Sequence, residues 1–231
     1  MVQDQDVLST STTLKHDLGA LGITTDGRKF RYCKAGGTAL VAGKLQQSPV
    51  EITNHQDLTP TAARAIGDTT VTVTLGATAA TLNQYSNGWL VATTSTGAGF
   101  QYKIKSHPAA DSLATLVVTL DDPFIVATAT TTRFDLVLNP FNGVVVNPTT
   151  ATSGPVGVAV YNIGASEFGW IQTNGPAVIL SDAGSTVGTN VSASNATAGA
   201  VEASVTAQAA IGYALTGVAT TEYGMFYVTI D

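Results

Sequence analysis

The chain has 231 residues and carries 10 Lys and Arg against 16 Asp and Glu, a formal charge of -6. A hydrophobic share of 44% excludes wholesale disorder, and no apolar run reaches the roughly 18 residues of a membrane helix, so no membrane partner is expected. Only 11% of residues are charged, against about 25% in an ordinary soluble domain. A compact monomer of this mass should expose roughly 9,800 Å², which leaves on the order of 380 Å² per charge, so either neutral polar residues or other protein must cover the surface.

From the N-terminus, residues 1–18 are polar and read as an extended arm. Their opening, MVQDQDVLSTST, has acids where a secretory signal has bases and lacks the apolar stretch that follows them, so no export route is expected. Residues 19–49 read as a small basic β element with a strand at 28–34. Residues 50–147 read as a central β domain. It opens with the best helix candidate, over 61–66, with Thr59-Pro60 as N-cap and first-turn pair and Gly67 as the stop. Strands are predicted at 69–75, 88–94, 100–105, 114–120, 133–138 and 143–146. In the first, Val71, Val73 and Leu75 share one face and Thr70, Thr72 and Thr74 the other, the period of a strand with one face buried.

After Asn147-Pro148, residues 148–155 have linker composition. Residues 156–231 read as a second β domain, with strands at 156–161, 169–173, 177–180, 200–205, 211–215 and 225–230. Asn87-Gly88, Asn142-Gly143 and Asn174-Gly175-Pro176 are among the turn signals between them. The expected fold class is therefore all-β: two small β-sandwich or β-barrel domains preceded by an extended N-terminal arm and a short β element.

Charge is unevenly placed along the chain. Six of the ten cations, Lys15, Arg28, Lys29, Arg31, Lys34 and Lys44, precede residue 50, and no Lys or Arg follows Arg133. Asp17 and Asp26 interrupt the basic run and its aromatics are few, so a partner-facing or solvated strand is expected rather than a nucleic-acid site. The acidic remainder repels nucleic acid.

Few motifs point to chemistry. Cys33 is the sole cysteine, so no intrachain disulfide can form, and burial as a small apolar residue is its expected role. His16, His55 and His107 have no metal-ligand spacing. Ser106, His107 and Asp111 are the residue types of a catalytic triad, but they share one Pro-interrupted turn and read as a polar hairpin end. Asp121-Asp122-Pro123 reads as a strand-stopping turn ahead of a Ca²⁺ ligand pair. Gly97-Ala98-Gly99 leads into a strand, where a phosphate loop needs a helix N-terminus. Asn190 and Asn195 match glycosylation acceptors in a Ser/Thr-rich loop, significant only in a secretory compartment. No cofactor, metal or catalytic residue is expected. Trp89 and Trp170 each follow a glycine at a strand start, and core or intersubunit packing is expected of both, with sugar stacking the alternative.

The glycine and turn pattern resembles that of tailed-bacteriophage head decoration (cement) proteins. The residues that carry the resemblance are Gly169-Trp170-Ile171-Gln172, Gly175-Pro176-Ala177, Val187-Gly188, Ala198-Gly199-Ala200-Val201, Ile211-Gly212-Tyr213-Ala214 and the closing MFYVTI. Asp26-Gly27-Arg28, Gly36-Gly37-Thr38-Ala39-Leu40 and the run from Tyr85 through TGAGFQYKIKSHP to VTLDDP are similar in kind. The resemblance implies a non-enzymatic virion protein on the outer capsid surface. There it would bridge neighbouring major capsid protein subunits as a homotrimer, with the basic element toward the shell and the arm adding a strand to a capsid sheet. A surface-displayed adhesion or glycan-binding module, or a tail or baseplate component, is the alternative.

Overall fold

The computed structural model describes residues 6–205 and 208–231. Their regular structure is strand, apart from two short 3-10 turns at Asp6–Leu8 and Thr53–His55. The chain divides into two compact units, Met1–Val50 with Pro140–Asp231, and the inserted Glu51–Asn139. The first unit begins with β1 (Leu21–Ile23), β2 (Lys29–Ala35) and β3 (Lys44–Gln47). The insert holds β4 (Thr59–Pro60), β5 (Thr70–Thr74), β6 (Trp89–Thr94), β7 (Gln101–Ser106), β8 (Thr115–Leu120) and β9 (Arg133–Val137). The chain then returns with β10 (Asn142–Val146), β11 (Pro155–Ala159), β12 (Phe168–Leu180), β13 (Asn190–Ala193), β14 (Val201–Ala203), β15 (Gly212–Ala214) and β16 (Tyr223–Thr229).

In the inserted unit the strands pair in the order β4-β5-β8-β7-β6-β9, antiparallel throughout. Leu58, just ahead of β4, and Phe134 of β9 exchange backbone hydrogen bonds of 2.8 and 3.0 Å, which closes the order into a circuit. The interior is what the alternation predicts: Val71 and Val73 of β5, Leu116 and Val118 of β8, and Tyr102 and Ile104 of β7 turn inward onto Phe124 and Phe134. The helix expected over 61–66 does not form. Thr59 and Pro60 pair with Thr74 and Val73 as β4. Beyond them Arg64 exchanges hydrogen bonds with Thr128, and Gly67 donates to Phe124 O. Tertiary partners thus satisfy the backbone that a lone two-turn helix would leave half unpaired.

The other unit departs from the expected boundaries. The basic element at 19–49 and the domain at 156–231 share one ten-stranded sheet, because β10 pairs parallel to β2 and antiparallel to β3, while β12 pairs with β2 along Phe168–Asn174. The ladder β2-β10-β3-β11-β12 thus returns to β2 as a closed circuit around Cys33, Ala35, Leu40, Val144 and Ile171. Residues 148–154 are a loop within this unit and not a linker between domains: Gln47 Nε2 donates to Thr152 Oγ1 at 2.7 Å, and Ser48 bonds Ser153.

The second half of β12 continues into β16, β15, β13 and β14, and Asp182 N donates to Val201 O at 2.8 Å across the remaining gap. This part encloses Ala177, Ile179, Val191, Phe226 and Val228. The turn expected at Asn174-Gly175-Pro176 is instead the middle of one 13-residue strand. Gly175 takes φ +96, and the register against β2 slips just before it. The residues that spell a turn here mark the point where β12 changes partner, a place where a strand tolerates Gly and Pro.

Candidate functional site

The basic strand β2 is buried on both sides. Cys33 and Ala35 face the circuit interior, while Phe30 and Tyr32 face outward beneath residues of the N-terminal segment. Of the arm expected at 1–18, residues 1–5 lie outside the described residues, and the rest folds back onto its own sheet. Val7 is buried with Phe30, Tyr32 and Trp170, and Ser11 exchanges hydrogen bonds of 3.0 and 2.8 Å with Phe168. His16 sets its ring edge-on to Tyr32 at 5.0 Å and tilted against Trp170 at 5.2 Å. Tyr32 stacks on Phe168 at 6.1 Å. Between this segment and the sheet runs an open groove of about 550 Å³, lined by Asp6, Lys15, His16, Tyr32, Phe168 and Trp170 among others. Lys15 N donates to the Tyr32 hydroxyl at 3.3 Å, and burial raises the Tyr32 pKa. The groove thus has an aromatic floor with Lys15 and His16 along its lining.

The six cations expected to meet a capsid fall into two groups. Arg28 pairs with Asp26 at 2.7 Å, and its guanidinium lies 5.5 Å from the Phe30 ring. The Thr24 hydroxyl, with Arg28, holds the Asp26 carboxyl at about 2. Arg31 pairs with Asp231 at 2.7 Å and donates to Gly19 O at 2.9 Å. Both arginines are thus engaged within the chain. Lys15, Lys29, Lys34 and Lys44 form no ion pair among the described residues. Lys34 Nζ lies 5.6 Å from the Phe168 ring centre, and Lys44 Nζ donates to Ala198 O at 3.0 Å. The partition of the sequence into a basic start and an acidic remainder is not carried into the fold, since β2 hydrogen-bonds along β12 and Arg31 holds the last residue.

The two tryptophans part company. Trp170 is buried under the N-terminal segment and is an internal packing residue. Trp89 stands half-buried on the outward side of β6, cross-strand from Lys103 and Val137.

Sequence spacing kept the histidines apart; the fold brings two of them to one tyrosine. His55 Nε2 donates to Thr78 O at 2.9 Å, which leaves Nδ1 to accept the Tyr85 hydroxyl. On the other side His107 Nε2 accepts Tyr85 N–H at 2.9 Å while its Nδ1–H donates to Pro108 O at 2.8 Å. Nε2 of His107 is therefore an unprotonated acceptor, and burial holds the His107 pKa below its ordinary value. With both nitrogens of His107 given to backbone groups, Ser106 and Asp111 do not assemble with it into a triad. Among the described residues no three or more His, Cys, Asp or Glu side chains converge as a metal site, and no helix is long and apolar enough to cross a membrane. Comparison with known protein families, curated proteins and solved structures finds no match, so the functional reading rests on these residues and their geometry.

Proposed function

We propose that this chain is a structural protein of a phage virion that decorates the outer capsid surface and bridges neighbouring major capsid subunits, without catalysis. The observation that carries the reading is the sparse ionic coat. The 10464 Å² of exposed surface is shared by ten Lys and Arg and sixteen Asp and Glu, about 400 Å² per charge and roughly twice the ordinary spacing. A surface so poor in charge suits burial against other chains, where each desolvated ion would be a cost. The lysines without ion pairs, above all exposed Lys15 and half-buried Lys34 beside the aromatic groove, are the proposed shell contacts.

Co-sedimentation with purified heads stripped of their decoration protein tests this directly. The wild-type chain is expected to pellet with the heads, and a Lys15→Gln/Lys34→Gln variant to bind at least tenfold more weakly. A chain that stays in the supernatant at all concentrations overturns the proposal. The adhesion alternative retains only Trp89, because the Trp170 ring is covered by the chain itself.

A further inference from the structure

We infer that copies of this chain associate through the outward face of β12, β16 and β15. On the inward face Ala177, Ile179, Phe226 and Val228 fill the core, so the positions between them should be polar, as in most antiparallel sheets with one wet face. They are not. Pro176 stands opposite Tyr227, Val178 opposite Met225 and Leu180 opposite Tyr223. Tyr213 continues the row on β15, its ring stacked on Tyr227 at 5.4 Å. Tyr223 is 53% exposed, Val178 46%, and Met225 and Tyr213 37% each. The inserted unit shows the contrast, with threonines at the outward positions 70, 72 and 74 of β5. An open groove of about 400 Å³ extends the apolar surface from Val178, Tyr223 and Met225 to Leu8, itself 50% exposed.

Area and charge together select a second copy as the occupant. With about half or less of Tyr223, Val178, Met225 and Tyr213 showing, this face offers on the order of 500 Å² of largely apolar surface. That is the upper end for a monomer's largest patch and, with a polar rim, approaches the roughly 800 Å² per partner of a stable interface. Two chains of charge -6 approach most easily where neither presents a carboxylate, and none of these seven sheet residues is charged. Arg28 borders the face at the Gly175 end, its Cγ 2.9 Å from where a Cβ on that glycine would stand, and exposed Glu222 borders the Tyr223 end. A two-fold axis that reverses the strand direction sets the uncharged row of each copy against that of the other, a self-complementary contact.

The inference rests on the part of the decoration reading in which copies cover one another. It is tested without any capsid, so its failure is distinguishable from failure of head binding. Sedimentation velocity and light scattering of the full chain from about 1 to 100 μM are expected to show a mass above the monomer's 23.6 kDa. Val178→Asp/Met225→Asp should return the monomer mass with unchanged circular dichroism and melting. Val178→Thr/Met225→Thr, which keeps strand propensity and neutrality, should raise the dissociation constant at least tenfold. Ile125→Asp, at a still more exposed apolar residue of the inserted unit, should leave association intact. A wild-type chain that is monomeric across the range overturns the inference, as does a folded Thr/Thr variant that associates like wild type.

Discussion

Acidification should destabilise the inserted unit through His107. The ring is buried and neutral, accepting Tyr85 N–H at Nε2 and donating from Nδ1 to Pro108 O. A proton added at Nε2 would turn that acceptor into a donor facing another donor, and among the described residues no carboxylate bonds to the His107 ring. Burial is the largest cause of the lowered folded pKa. The unfolded chain therefore binds a proton near pH 6.5 that the folded chain refuses. Stability from this group is complete above that pH and is lost, at about 1.4 kcal/mol per pH unit, as pH falls toward the folded value. Between pH 6.5 and 5.0 the linkage of one proton bounds the loss at about 2 kcal/mol, or at most roughly 15 °C in melting temperature for a unit of this size. Trp89 fluorescence in a Trp170→Phe background reports the unit's melting, and pH 5.0 keeps most carboxylates ionised. His107→Gln, whose side-chain oxygen can accept the Tyr85 N–H, should flatten the pH slope. An unchanged slope in that variant, or a wild-type melting point constant over this range, refutes the linkage.

Cys33 should be inert in the native chain, since burial pushes its thiol up to about 12. Mass spectrometry after iodoacetamide at pH 8 should find it unmodified until denaturant is added. Gly88→Ala should destabilise the inserted unit by about 1–3 kcal/mol, because a Cβ there would stand 2.2 Å from Val137 O, a backbone atom held in the β6–β9 ladder; denaturant titration measures it. Asp231→Asn should cost under about 1 kcal/mol, as expected for a partly exposed pair. The hydrogen bond from Arg31 lowers the Asp231 pKa, so the pair's contribution is present above the ordinary carboxylate range and lost as pH falls through it. The gap between mutant and wild type should accordingly narrow as pH falls below about 4.

Strand existence was legible wherever one face is wet: the Thr/Val alternation of residues 70–74 and the Tyr102/Ile104 pattern both map onto observed strands. Pairing was not. The parallel contact of β10 with β2 joins segments more than a hundred residues apart, and no turn signal records it, which is why the expected boundary at 148–155 falls inside a unit. Pro176 read as a turn because the same residue types serve where a strand changes neighbours. The basic residues were visible in the sequence, and Asp26 stands two residues from Arg28, but the partner of Arg31 was not, since Asp231 lies 200 residues away. The meeting of His55 and His107 at Tyr85 left no local spacing to detect, and the apolar outward face of β16 was hidden because MFYVTI reads as a core strand.

The two proposed contacts share one element. The first half of β12, Phe168–Asn174, carries the ladder to β2 and, through Phe168 and Trp170, the floor of the aromatic groove. Its second half, through Leu180, presents Pro176 and Val178 on the apolar outward face. Thirteen residues at about 3.3 Å each span roughly 40 Å, and hydrogen bonds hold the strand to β2 and then to β16 along that length. Such a strand fixes the distance between shell contact and copy-to-copy contact. On the proposed reading, docking of one copy would hold the partner joined across its outward face at a set position over the lattice, so that its own docking would become an intramolecular event at high effective concentration. Weak contacts from a charge-poor surface then suffice for stable coverage, provided each copy uses both ends of this strand at once.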